Sequence, residues 1–248
     1  MNHKSFFIIL SSLLFLCGIA GAKVITNPAP VVKPNDFIQN IDAAKLGNAR
    51  AACIVADCYL TGVGTRADIN EAWKWYASAA SKGDLEARYR IGVMYRDGLG
   101  VKRNDREAAY WFGRAAANGH PLALLNMADC YFEGRGIQRD YRIASENFWR
   151  ASDRGVAEAA YRLGLMLKDG IGIPQDKPKA LKYLNQAAMA NFADSPMLVG
   201  MLEAEGVRLP PPPKPAVKPG PKPAPKKTGP APKKNNTPKK KSPKKKHK

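Results

Sequence analysis

The chain has 248 residues, a length that suits one sizeable domain or two small ones. Its 40 Lys and Arg against 21 Asp and Glu give a formal charge of +19, yet 15 of those bases and none of the acids fall in residues 208–248. With that arm and Lys4 set aside, 24 bases face 21 acids, which excludes a strongly basic folded domain and assigns the cationic character to the arm.

In chain order, residues 1–22 come first. A basic start (His3, Lys4), an apolar run from Phe6 to Ala20, and Ala20-Gly21-Ala22 before Lys23 read as a secretory signal peptide with a small-x-small cleavage site. The run is about 15 residues, short of the roughly 20 that span a bilayer, which argues against a retained anchor. Lipoprotein processing at Cys17 is disfavoured because Leu16 stands where a small residue belongs. The expected destination is the periplasm, the cell envelope or the secreted fraction. Residues 23–35 read as a linker.

Self-similarity organises the middle of the chain. The stretch YRDGLGVKRN (95–104) pairs two glycines with a basic cluster, and a phosphate loop would need a strand before it. The preceding ARYRIGVMYRDG reads as helix instead, and the stretch has sisters at YLTGVGTRAD (59–68), YFEGRGIQRD (131–140) and LKDGIGIPQD (167–176). The 36-residue spacing defines repeats 49–84, 85–120, 121–156 and 157–192. Each first helix carries Ala51, Ala87, Ala123 or Ala159, then Ala56, Gly92, Ala128 or Gly164, small residues that let helices approach closely. Val55, Ile91, Met127 and Leu163 supply its apolar stripe. Gly62, Gly98, Gly134 and Gly170 fall at helix C-termini, and Asp68, Asn104, Asp140 and Asp176 four residues after the second glycine are N-caps. Glu71 and Glu107 predict capping boxes with Asp68 and Asn104. The second helix carries Ala72, Ala108, Ala144 and Ala180, then Tyr76, Phe112, Phe148 or Leu184, and closes on Gly83, Gly119, Gly155 or Asn191.

Half-repeats extend the register at 36–48 (Ala43, Ala44, Gly47) and 193–206 (Ser195, Gly200, Gly206), as caps of a solenoid do. The expected fold is all-α, ten helices in antiparallel pairs over residues 36–206. Beyond it, residues 207–248 interleave proline with lysine and offer no core, which predicts a disordered, polyproline-like arm.

The pattern A-x4-G/A-x2-Y-x2-G-x-G-hydrophobic-x2-D-x3-A-x2-W/Y-Y/F-x2-A-A-x2-G resembles the Sel-one-like repeat family, a relative of the tetratricopeptide repeat, and residues 49–192 carry it throughout. Asn147 departs from the aromatic column of Trp75, Trp111 and Tyr183, and Leu167 from the loop tyrosine. The resemblance implies a right-handed superhelical solenoid whose first helices line an inner curve that binds proteins. Some bacterial members pair cysteines within each repeat; this chain lacks that pairing. Cys53 and Cys58 point about 140° apart on one helix, and Cys58 and Cys130 lie two repeats apart, so all three read as small buried residues.

Little in the sequence suggests catalysis, and no cofactor or metal pattern emerges. His120 sits at a repeat junction, where a loop or capping role fits. Some family members were named for penicillin-binding or β-lactamase activity, but no S-x-x-K with its partner motifs accompanies this fold. Candidate partner-binding residues are Tyr89, Arg90, Asn126, Asp129, Phe132, Tyr161 and Arg162 on the first helices, and alanine at Tyr89, Arg90 and Arg162 is expected to spare the melting temperature. Trp73 and Trp149 lie off the shared aromatic column, so one is a candidate for exposure. The arm's Lys226, Lys227, Lys233, Lys234, Lys239, Lys240, Lys241, Lys244, Lys245 and Lys246 form a polyanion-binding candidate with steep salt dependence. The sequence thus expects a monomeric, exported, non-catalytic adaptor tethered by its arm to an anionic envelope polymer or lipid. Two alternatives stand beside it: a DNA- or lipopolysaccharide-binding protein led by the arm, and a cell-wall or β-lactam-related enzyme.

Overall fold

A computed structural model describes residues 30–209; the signal-peptide reading, most of the linker and the basic arm lie outside the described residues. Among the described residues ten helices succeed one another: α1 Asp36–Lys45, α2 Ala49–Thr61, α3 Ile69–Ser81, α4 Leu85–Asp97, α5 Asp105–Ala117, α6 Pro121–Glu133, α7 Tyr141–Asp153, α8 Ala157–Asp169, α9 Lys177–Met189 and α10 Ser195–Ala204. Among the described residues there is no strand and no helix long and apolar enough to cross a membrane. Each helix packs on its chain neighbours. Consecutive repeats are also tied first helix to first helix (Arg162 to Asp129) and second helix to second helix, where Gln186 Nε2 donates to Ser152 O at 2.6 Å.

The corners arise from local chemistry. Gly98 caps α4 with φ 71° and its N–H on Met94 O, a left-handed conformation that an L side chain resists. Asn104 then caps α5, its side chain accepting from Arg106 N at 3.1 Å and Glu107 N at 3.2 Å. Asp68 does the same for α3. The full capping boxes predicted at these sites are not formed. The N–H that a box would give to Glu71 or Glu107 is already committed, Asp68 N to Tyr59 O at 3.0 Å and Asn104 N to Tyr95 O at 2.9 Å. Asp140 N and Asp176 N repeat that bond to Tyr131 O and Leu167 O. Because a backbone carbonyl accepts it, Leu167 replaces the loop tyrosine without loosening the corner.

Packing explains the small-residue columns. A Cβ on Gly92 would lie 2.6 Å from Phe112 Cδ1, and one on Gly164 would lie 2.7 Å from Leu184 Cγ. The hairpin helices therefore touch backbone to side chain, and the core is the buried row Tyr76, Phe112, Phe148 and Leu184 with the alanines around it. Asn147 is buried in the aromatic column and satisfies its amide on Ile143 O at 2.9 Å. Cys53, Cys58 and Cys130 are buried and free. At the C-terminal end Ser195 is buried with its hydroxyl on Phe192 O, while Gly200 faces open space.

Candidate functional site

Polar side chains of the first helices form a seam across successive repeats. On α4, Glu86 and Arg90 stand one turn apart, with Arg90 Nε 2.7 Å from Glu86 Oε1. The other oxygen of Glu86 meets His120 Nε2 at 3.0 Å. His120 is the N-cap of α6, and its Nδ1 accepts from Ala123 N at 3.1 Å, so the ring proton sits on Nε2 and is donated to Glu86. Burial pushes the Glu86 carboxyl up, but the His120 hydrogen bond and the Arg90 charge outweigh it and hold the group below its ordinary value. Asp57 on α2 accepts from Tyr76 Oη at 2.5 Å; burial raises it to about 6 against the pull of that bond and of Arg90.

The same set recurs on α6 and α8. Arg162 Nη2 lies 3.0 Å from Glu158 Oε1, and its Nη1 lies 3.2 Å from Asp129 Oδ1. That second approach is too far off line for a hydrogen bond, and neither oxygen of Asp129 has one. Phe148 occupies the position that Tyr76 holds beside Asp57, so the hydroxyl is missing. Burial drives Asp129 to about 7 in spite of Arg162. Between the two sets, Arg96 Nη1 donates to Asn126 Oδ1 at 2.7 Å, and Asn126 returns its amide to Leu122 O. Arginine side chains that are only 12% (Arg90) and 22% (Arg162) exposed are thus aimed by carboxylates. Planar guanidinium groups fixed in this way suit carboxylate and carbonyl recognition.

Of the residues singled out in the sequence, Arg90, Asn126, Asp129 and Arg162 belong to the seam. Tyr89 is fully buried and stacks on His120 with ring centroids 4.7 Å apart, so the expectation that its loss spares stability does not hold. Asn126 and Asp129 are buried as well. Tyr161 donates to Asp194 Oδ1 at 2.6 Å and ties α8 to the start of α10. Phe132 stands apart, edge-on to Tyr141 and Phe148. Asp57, Glu86, Arg96, His120 and Glu158 were missed as members of the seam. A signal existed: ADCY recurs at 56–59 and 128–131, and Glu-Ala-x-Tyr-Arg at 86–90 and 158–162, a two-repeat period hidden when only columns shared by all four copies are compared. Among the described residues no group of three or more His, Cys, Asp or Glu is placed to hold a metal ion. The polyanion-binding lysines lie outside the described residues.

These helix hairpins, stacked in register with capped corners and small-residue contacts, define an α-solenoid repeat protein. The Sel1 repeat model matches residues 49–84, 85–120, 121–156 and 157–192, and the chain belongs to that family. Its members are typically non-catalytic protein-interaction scaffolds. Among solved structures, a Sel1 repeat protein from Oxalobacter formigenes is 34% identical with a TM-score of 0.65, over 70% of this chain and 50% of that one. A protective antigen of uropathogenic Escherichia coli displaying an SLR fold is 32% identical with a TM-score of 0.65, over 71% of this chain and 38% of that one. The chain therefore spans half or less of those relatives. No curated protein matches it.

Proposed function

We propose that this protein is an exported, non-catalytic adaptor that binds a protein or peptide partner along its first helices and is held at an anionic envelope surface by its cationic arm. The observation that carries the reading is the seam: two Glu-Arg-Asp sets 72 residues apart, with Arg96 and Asn126 between them, present oriented guanidinium groups at regular intervals. An extended partner with carboxylates or free carbonyls at repeat spacing complements such a row. Export rests on the reading of residues 1–22. Tethering rests on the arm's charge, since each basic residue near an anionic surface contributes about 1 kcal/mol of attraction.

The test is crosslinking and pull-down from the native envelope with three proteins: the full chain, a chain lacking 208–248, and Arg90→Lys/Arg162→Lys. Lysine keeps each buried charge but loses the planar fork. The lysine pair is expected to lose capture while its melting temperature stays close to that of the parent. The truncated chain is expected to keep its partner and leave the envelope fraction. Undiminished capture by the lysine pair rejects the seam as the site. The arm's composition favours a second reading, polyanion binding in its own right; there, deletion of 208–248 abolishes retention on DNA or lipopolysaccharide, whatever happens to the seam.

A further inference from the structure

Positions 73, 109, 145 and 181 are one site on successive second helices, and 77, 113, 149 and 185 are another, one turn along. Trp73 fills the first site in its repeat, half-buried against the core cluster that contains Ile91. In the fourth repeat Leu181 is buried there, and in the third Trp149 occupies the second site. The second repeat has neither: it carries Ala109 and Gly113. An open groove of about 420 Å³ results, walled by Ala109, Gly113 and Ala117 of α5 with Met127 and Ile137 of the next repeat. Tyr110, 54% exposed, stands at its edge. The charged side chains lining the groove are Arg106 and Arg114, and no Asp or Glu lines it. Arg114 is steered by Tyr110, its Nη1 3.1 Å from the hydroxyl and its guanidinium 5.8 Å from the ring centre.

We propose that this groove is a docking site for an aromatic side chain carried on an acidic segment of a partner protein. The shape argument is internal to the molecule: Trp73 shows which side chain this site accepts in a sister repeat, and the groove is large enough for one. The charge argument names the flanks, because carboxylates on either side of the aromatic residue meet Arg106 and Arg114. The protein's own arm does not fit. Residues 208–248 carry 15 bases, no acid and no Phe, Trp or Tyr, so they bring the wrong charge and no anchor. A second copy approaching by a two-fold axis would set arginine against arginine. The site lies on α5 and its neighbours, apart from the seam, and stands or falls without it.

The experiment uses the full chain with methyl-labelled methionine and two peptides, Asp-Glu-Trp-Glu-Asp and Asp-Glu-Ala-Glu-Asp. The lysine arm attracts both by charge, so the difference between them is the readout. The Trp peptide is expected to shift the Met127 methyl signal (assigned by its loss in Met127→Leu) and to bind about tenfold more tightly than the Ala peptide, the ratio that burial of one aromatic anchor supplies. Ala109→Trp plugs the groove with the residue of the first repeat and is expected to remove both effects. Arg106→Glu/Arg114→Glu, on exposed side chains, is expected to remove them even if the plug disturbs folding. Equal affinity for the two peptides overturns the proposal, as does undiminished Trp-peptide binding in the folded charge-reversed protein. A fall in molar mass of the protein alone on plugging overturns it in favour of a second copy as the occupant.

Discussion

Replacing Phe148 with tyrosine tests the account of the two buried aspartates in the seam. Asp57 and Asp129 are equivalent residues two repeats apart, and each sits beside a first-helix arginine. They differ in one donor: Tyr76 Oη reaches Asp57 at 2.5 Å, whereas Phe148 has nothing to give Asp129. Burial raises Asp57 to about 6 and Asp129 to about 7. If the hydroxyl accounts for that difference, Phe148→Tyr stabilises the ionised protein by about 1 kcal/mol, the size of a hydrogen bond to a charged group. For a domain of this size that is a rise of roughly 2–4 °C in melting temperature. The sign comes from linkage. Asp129 titrates near 3.9 in the unfolded chain and about 7 in the folded one, so its contribution is full below pH 4 and is lost as pH rises through 7. The variant's folded value drops toward 6, and its loss is smaller. Thermal unfolding of the two proteins should therefore coincide near pH 5 and separate by the full amount at pH 8. An equal shift at both pH values, or a lower melting temperature at pH 8, refutes the reasoning.

Two glycines on neighbouring helices should respond to alanine in opposite directions. Gly92→Ala drives a Cβ to 2.6 Å from the Phe112 ring and is expected to cost about 1–3 kcal/mol in urea unfolding. Gly113→Ala places its Cβ 3.7 Å from Met127 Cε, an ordinary contact, and should gain about 0.5–1 kcal/mol by restricting the unfolded helix; a loss there would mean that the groove floor is tighter than described. Burial pushes the thiols up, Cys58 to about 11 and Cys130 to about 12, with Cys53 higher still. None of the three should react with a disulfide reagent at pH 8 until guanidinium is added, and rapid native labelling would contradict their burial.

Much of the fold was legible because its signals are local. A glycine that ends α4, an asparagine that starts α5 and the alanines between them act over a few residues, and four aligned copies separate them from chance. The junction role of His120 was legible for the same reason, since an N-cap needs only the N–H three residues on. The candidate site was legible only in part. Tyr89 reads as a free first-helix position in its own repeat, yet it is enclosed because His120, at the start of the next helix pair, stacks on it. Glu86 reads as an ordinary surface acid until that histidine and Arg90 close on it. The capping boxes failed for a related reason, since the N–H groups they require were taken by carbonyls nine residues back.

Repeat length, helix ends and small-residue contacts can all be read from the residues in order, because each is set by backbone conformation or by close approach within one hairpin. Stacking of the hairpins settles which polar groups are buried, which carboxylate lacks a donor and where the groove beside α5 opens. Those outcomes depend on residues brought together across helix pairs, such as Asp129 and Arg162, or Gly113 and Met127. Proximity of that kind exists only once the hairpins have stacked.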